Sequence, residues 1–305
     1  MFVNVLTQVI ILLILILLGA FLTKKGILTD SGVSSITDVV LLFVTPCVII
    51  KSFVRKFEVS LLKSLLLSFL IAFCIHISFI LLSRVLLRSK DKLRQRVLQY
   101  GVIFSNCGFM SIPLQQALLG EDGVFYGSSY IAIFNLFIWS YGLILISGNK
   151  KYLTAKKMIL NPGMIGLCIG LIIFLFSIPL PKIIYEPISY MAALNTPVPM
   201  IIIGYHLMQN NVFKALKDIK CLFAVFLKLF ALPALALIVM YLAGVRGTML
   251  VSSVISCSAP TAAITTMFSA KFNADTSLSV NLVSLSTVLS LISMPILITL
   301  AQYLA

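Results

Sequence analysis

Apolar runs of membrane-spanning length dominate this chain. Ten can be counted, at about residues 5–23, 33–53, 62–83, 97–119, 124–147, 162–180, 185–207, 220–243, 247–269 and 277–303. A helix of roughly 20 apolar residues crosses the hydrocarbon core of a bilayer. Lipid supplies no hydrogen-bonding partner, so runs of this kind must close their backbone bonds internally, as helices. The expected fold is an all-α integral membrane protein of ten transmembrane helices. The first run reads as a retained span, because its first basic residue, Lys24, follows the apolar stretch.

Composition agrees. Hydrophobic residues make up 60% and charged residues 10% of the chain, against about 25% charged in soluble domains. The net charge of +14 would suggest nucleic acid in a soluble protein. Here the basic residues sit in short loops between apolar runs, where they set orientation, so no nucleic-acid partner is expected. One set of loops holds sixteen of the 23, among them Lys24, Lys25, six from Arg84 to Arg96, Lys150, Lys151, Lys156, Lys157, Lys214, Lys217, Lys220 and Lys271. The other holds six: Lys51, Arg55, Lys56, Lys63, Lys182 and Arg246. The richer side is expected to be cytoplasmic, in the inner or plasma membrane, and ten spans then place both termini outside.

Two of the runs are defective. The fourth contains Ser105-Asn106-Cys107-Gly108-Phe109-Met110-Ser111-Ile112-Pro113, and the ninth contains Ser256-Cys257-Ser258-Ala259-Pro260-Thr261. Unpaired backbone at membrane depth is tolerated only where it lines a protein cavity. Matching interruptions in two halves point to a secondary transporter with a midplane site. Other matches share the register. Lys63-Ser64-Leu65 with Phe69-Leu70 corresponds to Lys220-Cys221-Leu222 with Phe226-Leu227, and Thr45-Pro46 to Thr196-Pro197. The organisation predicted is two inverted five-span repeats, residues 1–147 and 162–305, joined by a cytoplasmic loop at 148–161.

Several patterns resemble the auxin efflux carrier family, which includes bacterial malate permeases. They are Asn106-x-Gly108-Phe109 with Pro113-Leu114; Phe134-Asn135 with Trp139 and Gly142; Asn161-Pro162 with Gly166 and Gly170; Pro197-x-Pro199 with Gly204; Ala259-Pro260-Thr261-Ala262 with Ala270 and Phe272; and Ser286-Thr287 with Pro295. Ser111 and Ile264 depart from the family pattern, the first where glycine and the second where a polar residue is usual. The resemblance implies a scaffold of spans 1, 2, 6 and 7, and a transport unit of spans 3–5 and 8–10 in which broken helices 4 and 9 cross. It also implies elevator-like movement and a homodimer. The long hydrophilic loop of the plant carriers is missing, which favours a bacterial type of anion carrier.

The candidate substrate-binding residues are Ser105, Asn106, Gly108, Phe109, Pro113, Asn135, Lys228, Ser258, Pro260 and Thr261. Helix N-termini at the breaks carry about half a positive charge each and bind carboxylates through free N–H groups. Helix kinks packed with small residues are the structural alternative. Lys228 is the one cation deep in a predicted span. It either serves the crossover, by balancing helix C-termini or attracting an anion, or snorkels to the surface. His76 is a candidate proton relay or a hydrogen-bonded structural residue. Asn135 lines the site or pins helices together, and Asp38 is expected to be solvated.

The expected function is secondary transport of a small organic anion, a mono- or dicarboxylate. A sodium-coupled symporter or antiporter of related fold is the alternative. No Walker A motif, HExxH or CxxC occurs and no carboxylate pair lies within a predicted span, so neither a cofactor, a metal nor catalysis is expected, and a sensor scaffold would want an output domain.

Overall fold

A computed structural model describes residues 2–152, 160–209 and 216–305; the predicted cytoplasmic residues Lys156, Lys157 and Lys214, and the middle of the 148–161 loop, lie outside them. The described residues are helical, with one isolated bridge and no strand. The helices are α1 (Phe2–Lys24), α2 (Asp30–Phe53), α3 (Val59–Leu86), α4 (Lys92–Ile103), α5 (107–119), α6 (121–147), α7 (Pro162–Leu175), α8 (Lys182–Met208), α9 (Ile219–Leu242), α10 (Gly247–Ser258), α11 (Ile264–Lys271) and α12 (Thr276–Leu304). Seven helical stretches among them are long and apolar enough to span a membrane. The stretch Cys107–Ser147 counts as one of these, and α7 and α10 are shorter apolar helices.

The helix from Cys107 to Ser147 reverses at Gly120, whose φ of 64° and ψ of −150° leave the helical region. A methyl group at Gly127 would fall 2.1 Å from Oε1 of Gln115. Twelve residues of straight helix would separate those positions by about 18 Å. Thus α5 and α6 form a hairpin, and glycine supplies the positive φ of its turn.

A buried apolar core is present, but apolar residues also cover the outside and hydroxyls enter the interior. Large apolar residues such as Ile14, Leu17 and Phe21 on α1 and Leu66, Leu70 and Leu81 on α3 are exposed. Hydroxyls including Ser105, Ser111, Ser252, Ser258, Ser286 and Ser290 are buried. Lipid is as apolar as leucine, so helices associate through close packing and internal polar contacts. The contact of α1 with α8 shows the first device. A methyl group on Gly204 would lie 2.0 Å from the Ile16 carbonyl oxygen, and one on Gly19 2.2 Å from that of Ile201. The two backbones touch, and any side chain there would separate them.

Proline leaves a recurring mark. Turns of π-helix occupy 40–44, 107–111 and 227–231, just ahead of Pro46, Pro113 and Pro233. A proline ring clashes with the carbonyl four residues earlier. In each case that carbonyl, at 42, 109 or 229, lies in the widened turn, which relieves the clash.

Apart from Lys228, the charged residues that pair do so near the helix ends. Asp91, Asp218 and Asp275 cap α4, α9 and α12 by accepting first-turn N–H bonds. Arg94 pairs with Asp218 and, at 3.7 Å, with Asp275, joining the starts of three helices. At the opposite end Arg55 pairs with Asp122 at 2.6 Å and Lys51 with Glu121 at 3.6 Å. These ties link the end of α2 to the α5–α6 turn. Asp38 is exposed at the surface of α2.

Candidate functional site

The two interrupted segments meet. Helix α4 ends at Ile103, and Phe104 is extended (φ −98°, ψ 112°). Helix α10 ends at Ser258, where Ala259 turns out with ψ 150°, because a residue preceding proline is driven from the helical region. The extended segments so freed run antiparallel, with Ser105 opposite Thr261 in an isolated bridge. The Asn106 N–H donates to the Pro260 carbonyl at 2.7 Å, and the Ala262 N–H donates to the Phe104 carbonyl at 2.9 Å. Backbone groups that each break would orphan are thus satisfied by the other.

Side chains complete the joint. The Thr261 hydroxyl donates to the Gly101 carbonyl at 2.9 Å, one of the carbonyls left open at the end of α4. The Thr261 N–H donates to the Ser286 hydroxyl at 3.1 Å. Alongside, Nε2 of Gln115 on α5 reaches the Ser252 carbonyl, the Ser252 hydroxyl and the Ser256 hydroxyl on α10 at 3.1, 3.0 and 2.8 Å.

Lys228 does not snorkel. It projects from the π turn of α9, is fully buried, and donates from Nζ to the Ser105 hydroxyl at 2.5 Å and the Cys257 carbonyl at 3.3 Å. Its Nζ also lies 5.6 Å from the Phe79 ring centroid. The Cys257 carbonyl belongs to the last turn of α10, the negative end of that helix dipole. The ammonium therefore lies at the carbonyl end of α10, beside the break. None of the nine acidic residues of the chain is buried, and no ion pair holds Lys228 among the described residues. Tyr130 adds its hydroxyl 3.3 Å from that of Ser105.

The helix N-termini present a different aspect. The side-chain amide of Asn106 makes no hydrogen bond within the described residues and is partly exposed. A methyl group added at Gly108 would meet nothing within 4 Å. Open space therefore adjoins the start of α5, where the Cys107 and Met110 N–H groups donate to the Ser105 and Asn106 carbonyls at 2.8 and 3.1 Å. Pro197–Met208 of α8 packs against this turn. Asn106 and Gly108 border the open space, while Phe109 is buried beneath it.

Other predicted residues lie differently. Pro113 sits inside α5, beyond the break, so it shapes the π turn 107–111 rather than the interruption; Pro260 stands in the break itself. The Ser258 hydroxyl turns back to the Ile255 carbonyl of its own helix at 3.5 Å. Asn135 donates to the Ile131 carbonyl at 2.9 Å and stands beside Gly163 at the start of α7, and no hydrogen bond joins it to the breaks. His76 is buried, with Nδ1 2.8 Å from the Ala72 carbonyl, and is packed between Tyr130 and Phe137. It stands one ring from the Ser105 cluster. Tyr130, Gln115 and the Cys257 carbonyl were not anticipated. Gln115 and Tyr130 could have been flagged as polar side chains inside apolar runs, but a backbone carbonyl leaves no sequence signal.

Among the described residues no group of three or more His, Cys, Asp or Glu is placed to hold a metal. A cavity of about 530 Å³ lies at the far end of α5, lined by Thr7, Gln8, Leu118, Thr248 and Gln302 among others.

Comparison with known proteins agrees with this architecture. A family model described as membrane transport protein matches residues 4–298. The chain is also 25% identical over 291 residues to an uncharacterised transporter of Methanothermobacter thermautotrophicus, covering 93% of this chain and 94% of that one. Helices of membrane-spanning length, hydroxyls buried among them and a match along nearly the whole chain lead to one assignment: this multi-pass membrane protein belongs to the auxin efflux carrier-like membrane transport family.

Proposed function

We propose that the chain is a secondary transporter of a small organic anion, a mono- or dicarboxylate, bound where the two broken helices meet. The observation that carries this reading is the open space beside Asn106 and Gly108, next to the N-terminus of α5 and one residue from the Lys228–Ser105 contact. A carboxylate there would meet the neutral amide donor of Asn106 and the positive end of a helix dipole. A buried acidic residue, which would repel it, is lacking among the described residues.

In this reading α4 with α5, and α10 with α11, are single broken spans that cross. Counting α6 and α7 as separate passes gives ten spans in two inverted repeats. Spans 1, 2, 6 and 7 form the scaffold, and spans 3–5 and 8–10 the moving unit, which works elevator-like in a homodimer. The ion pairs Lys51–Glu121 and Arg55–Asp122 then bridge scaffold and moving unit, and would part during a transport cycle. The test is uptake into proteoliposomes with a panel of labelled carboxylates, under imposed pH and sodium gradients. Saturable uptake of at least one carboxylate is expected. Accumulation of cations or neutral solutes alone would contradict the reading.

The basic loops orient the protein with both termini outside. Reporter fusions after Lys92 and Lys151 should score as cytoplasmic, and one after Lys182 as external. The reverse pattern would overturn the orientation.

A further inference from the structure

We propose that the Lys228 ammonium is a built-in substitute for a coupling cation: it occupies a neutral-oxygen site at the breaks that a free monovalent cation would otherwise take. The inference rests on the reading of the breaks as the transport site. Its basis is the kind of atom around Nζ. The two partners are a hydroxyl, Ser105 Oγ at 2.5 Å, and a main-chain carbonyl, Cys257 O at 3.3 Å. The carbonyl closes the last turn of α10, and Ser105 follows directly on the extended end of α4. Unwound carbonyls and half-helix C-termini are what secondary transporters offer to a coupling sodium ion. Here that arrangement is filled from within, by a side chain that cannot leave.

The surroundings fit a permanent occupant. Lys228 is fully buried, and the groups facing it are the Phe79 ring, the Ser105 hydroxyl and, behind the latter, the Tyr130 hydroxyl and His76. The nearest thiols, Cys107 and Cys257, are free and buried. No carboxylate neutralises the ammonium, and the one helix terminus that faces it is the carbonyl end of α10. A second, mobile cation at the same oxygens would meet a fixed like charge. Transport should therefore proceed without sodium, and removing the ammonium should open the site to an external cation.

The purified Lys228→Ala variant tests this by thermal unfolding in detergent. Sodium chloride and n-propylammonium chloride are compared with N-methylglucamine chloride at equal ionic strength. n-Propylammonium restores the atoms that the substitution removes. The expected result is a saturable rise in Tm of about 3 °C with n-propylammonium or sodium, the size of response a ligand at ten times its Kd gives a domain of this order. The wild-type protein should show none. In parallel, wild-type proteoliposomes should take up substrate equally when sodium is replaced by N-methylglucamine. A sodium-specific stabilisation of the wild-type protein, sodium-dependent wild-type uptake, or a variant that responds to neither cation would overturn the proposal. The wild-type arms decide the matter if the variant does not fold. If no carboxylate is transported at all, the reading of function falls, while the melting data still decide the cation site.

Discussion

Substituting glutamine for Lys228 is expected to lower carboxylate affinity at least tenfold and to lower the Tm of the purified protein. Both effects have one origin. In the native protein the ammonium donates to Ser105 and to the Cys257 carbonyl, against the negative end of α10. Hydrogen bonds that involve a charged group contribute about 1.5–3 kcal/mol. At about 1.4 kcal/mol for each factor of ten, their loss spans roughly ten- to a hundredfold if it is felt in full by the bound anion. Glutamine retains a donor but not the charge, so the C-terminus of α10 loses its counter-charge as an anion approaches from the N-terminal side of α5. A snorkelling lysine would behave in the opposite way, because removing an intramembrane charge relieves a cost of about 3 kcal/mol. Titration of the purified variant with substrate, beside its thermal unfolding, separates the cases. Unchanged affinity with raised stability would refute the role given to Lys228.

Gly108→Leu should abolish uptake while leaving abundance and Tm close to the wild-type values. A Cβ at this position meets nothing within 4 Å, and the backbone is in the π-helical turn 107–111 with no positive φ. The added Cβ therefore has room without displacing protein atoms, and the rest of the side chain extends from that open side. The room it takes is the space assigned to the substrate. Other glycines give the contrast. At Gly204 any side chain would strike the Ile16 carbonyl, so a loss of transport there would report a damaged fold, typically by 1–3 kcal/mol of overpacking. Uptake above half the wild-type rate for Gly108→Leu would exclude this space as the binding site.

The helices and the two breaks were legible in the sequence because both rest on strong local signals. Twenty apolar residues have few alternatives in lipid, and Ala259-Pro260 forces an extended residue before the proline. Lys228 stood out because a lone charge in an apolar run needs a reason. Where its side chain pointed was not legible, since the extra residue of the π turn 227–231 resets the angular register of α9. The same limit explains Pro113. Its chemistry announced a distortion, but the widened turn absorbed that distortion, and the chain broke at Phe104–Asn106 instead. Asn135 and Ser258 were read from residue type alone, and both hydroxyl and amide found partners within their own helices. Tertiary partners such as Tyr130, 25 residues from Ser105, and the Cys257 carbonyl follow from how the helices pack. No local pattern encodes them.

The central claim is that an organic anion binds at the meeting point of the two breaks. Its most direct test is equilibrium binding of a transported carboxylate to purified wild-type protein and to Asn106→Ala. The Asn106 side chain is partly exposed and makes no hydrogen bond within the described residues, so its removal should leave folding intact. Truncation deletes a donor aimed at the ligand, worth about 1 kcal/mol or more when buried. The account predicts a five- to tenfold rise in Kd, by the same conversion, with unaltered Tm. Equal binding by the two proteins would contradict it.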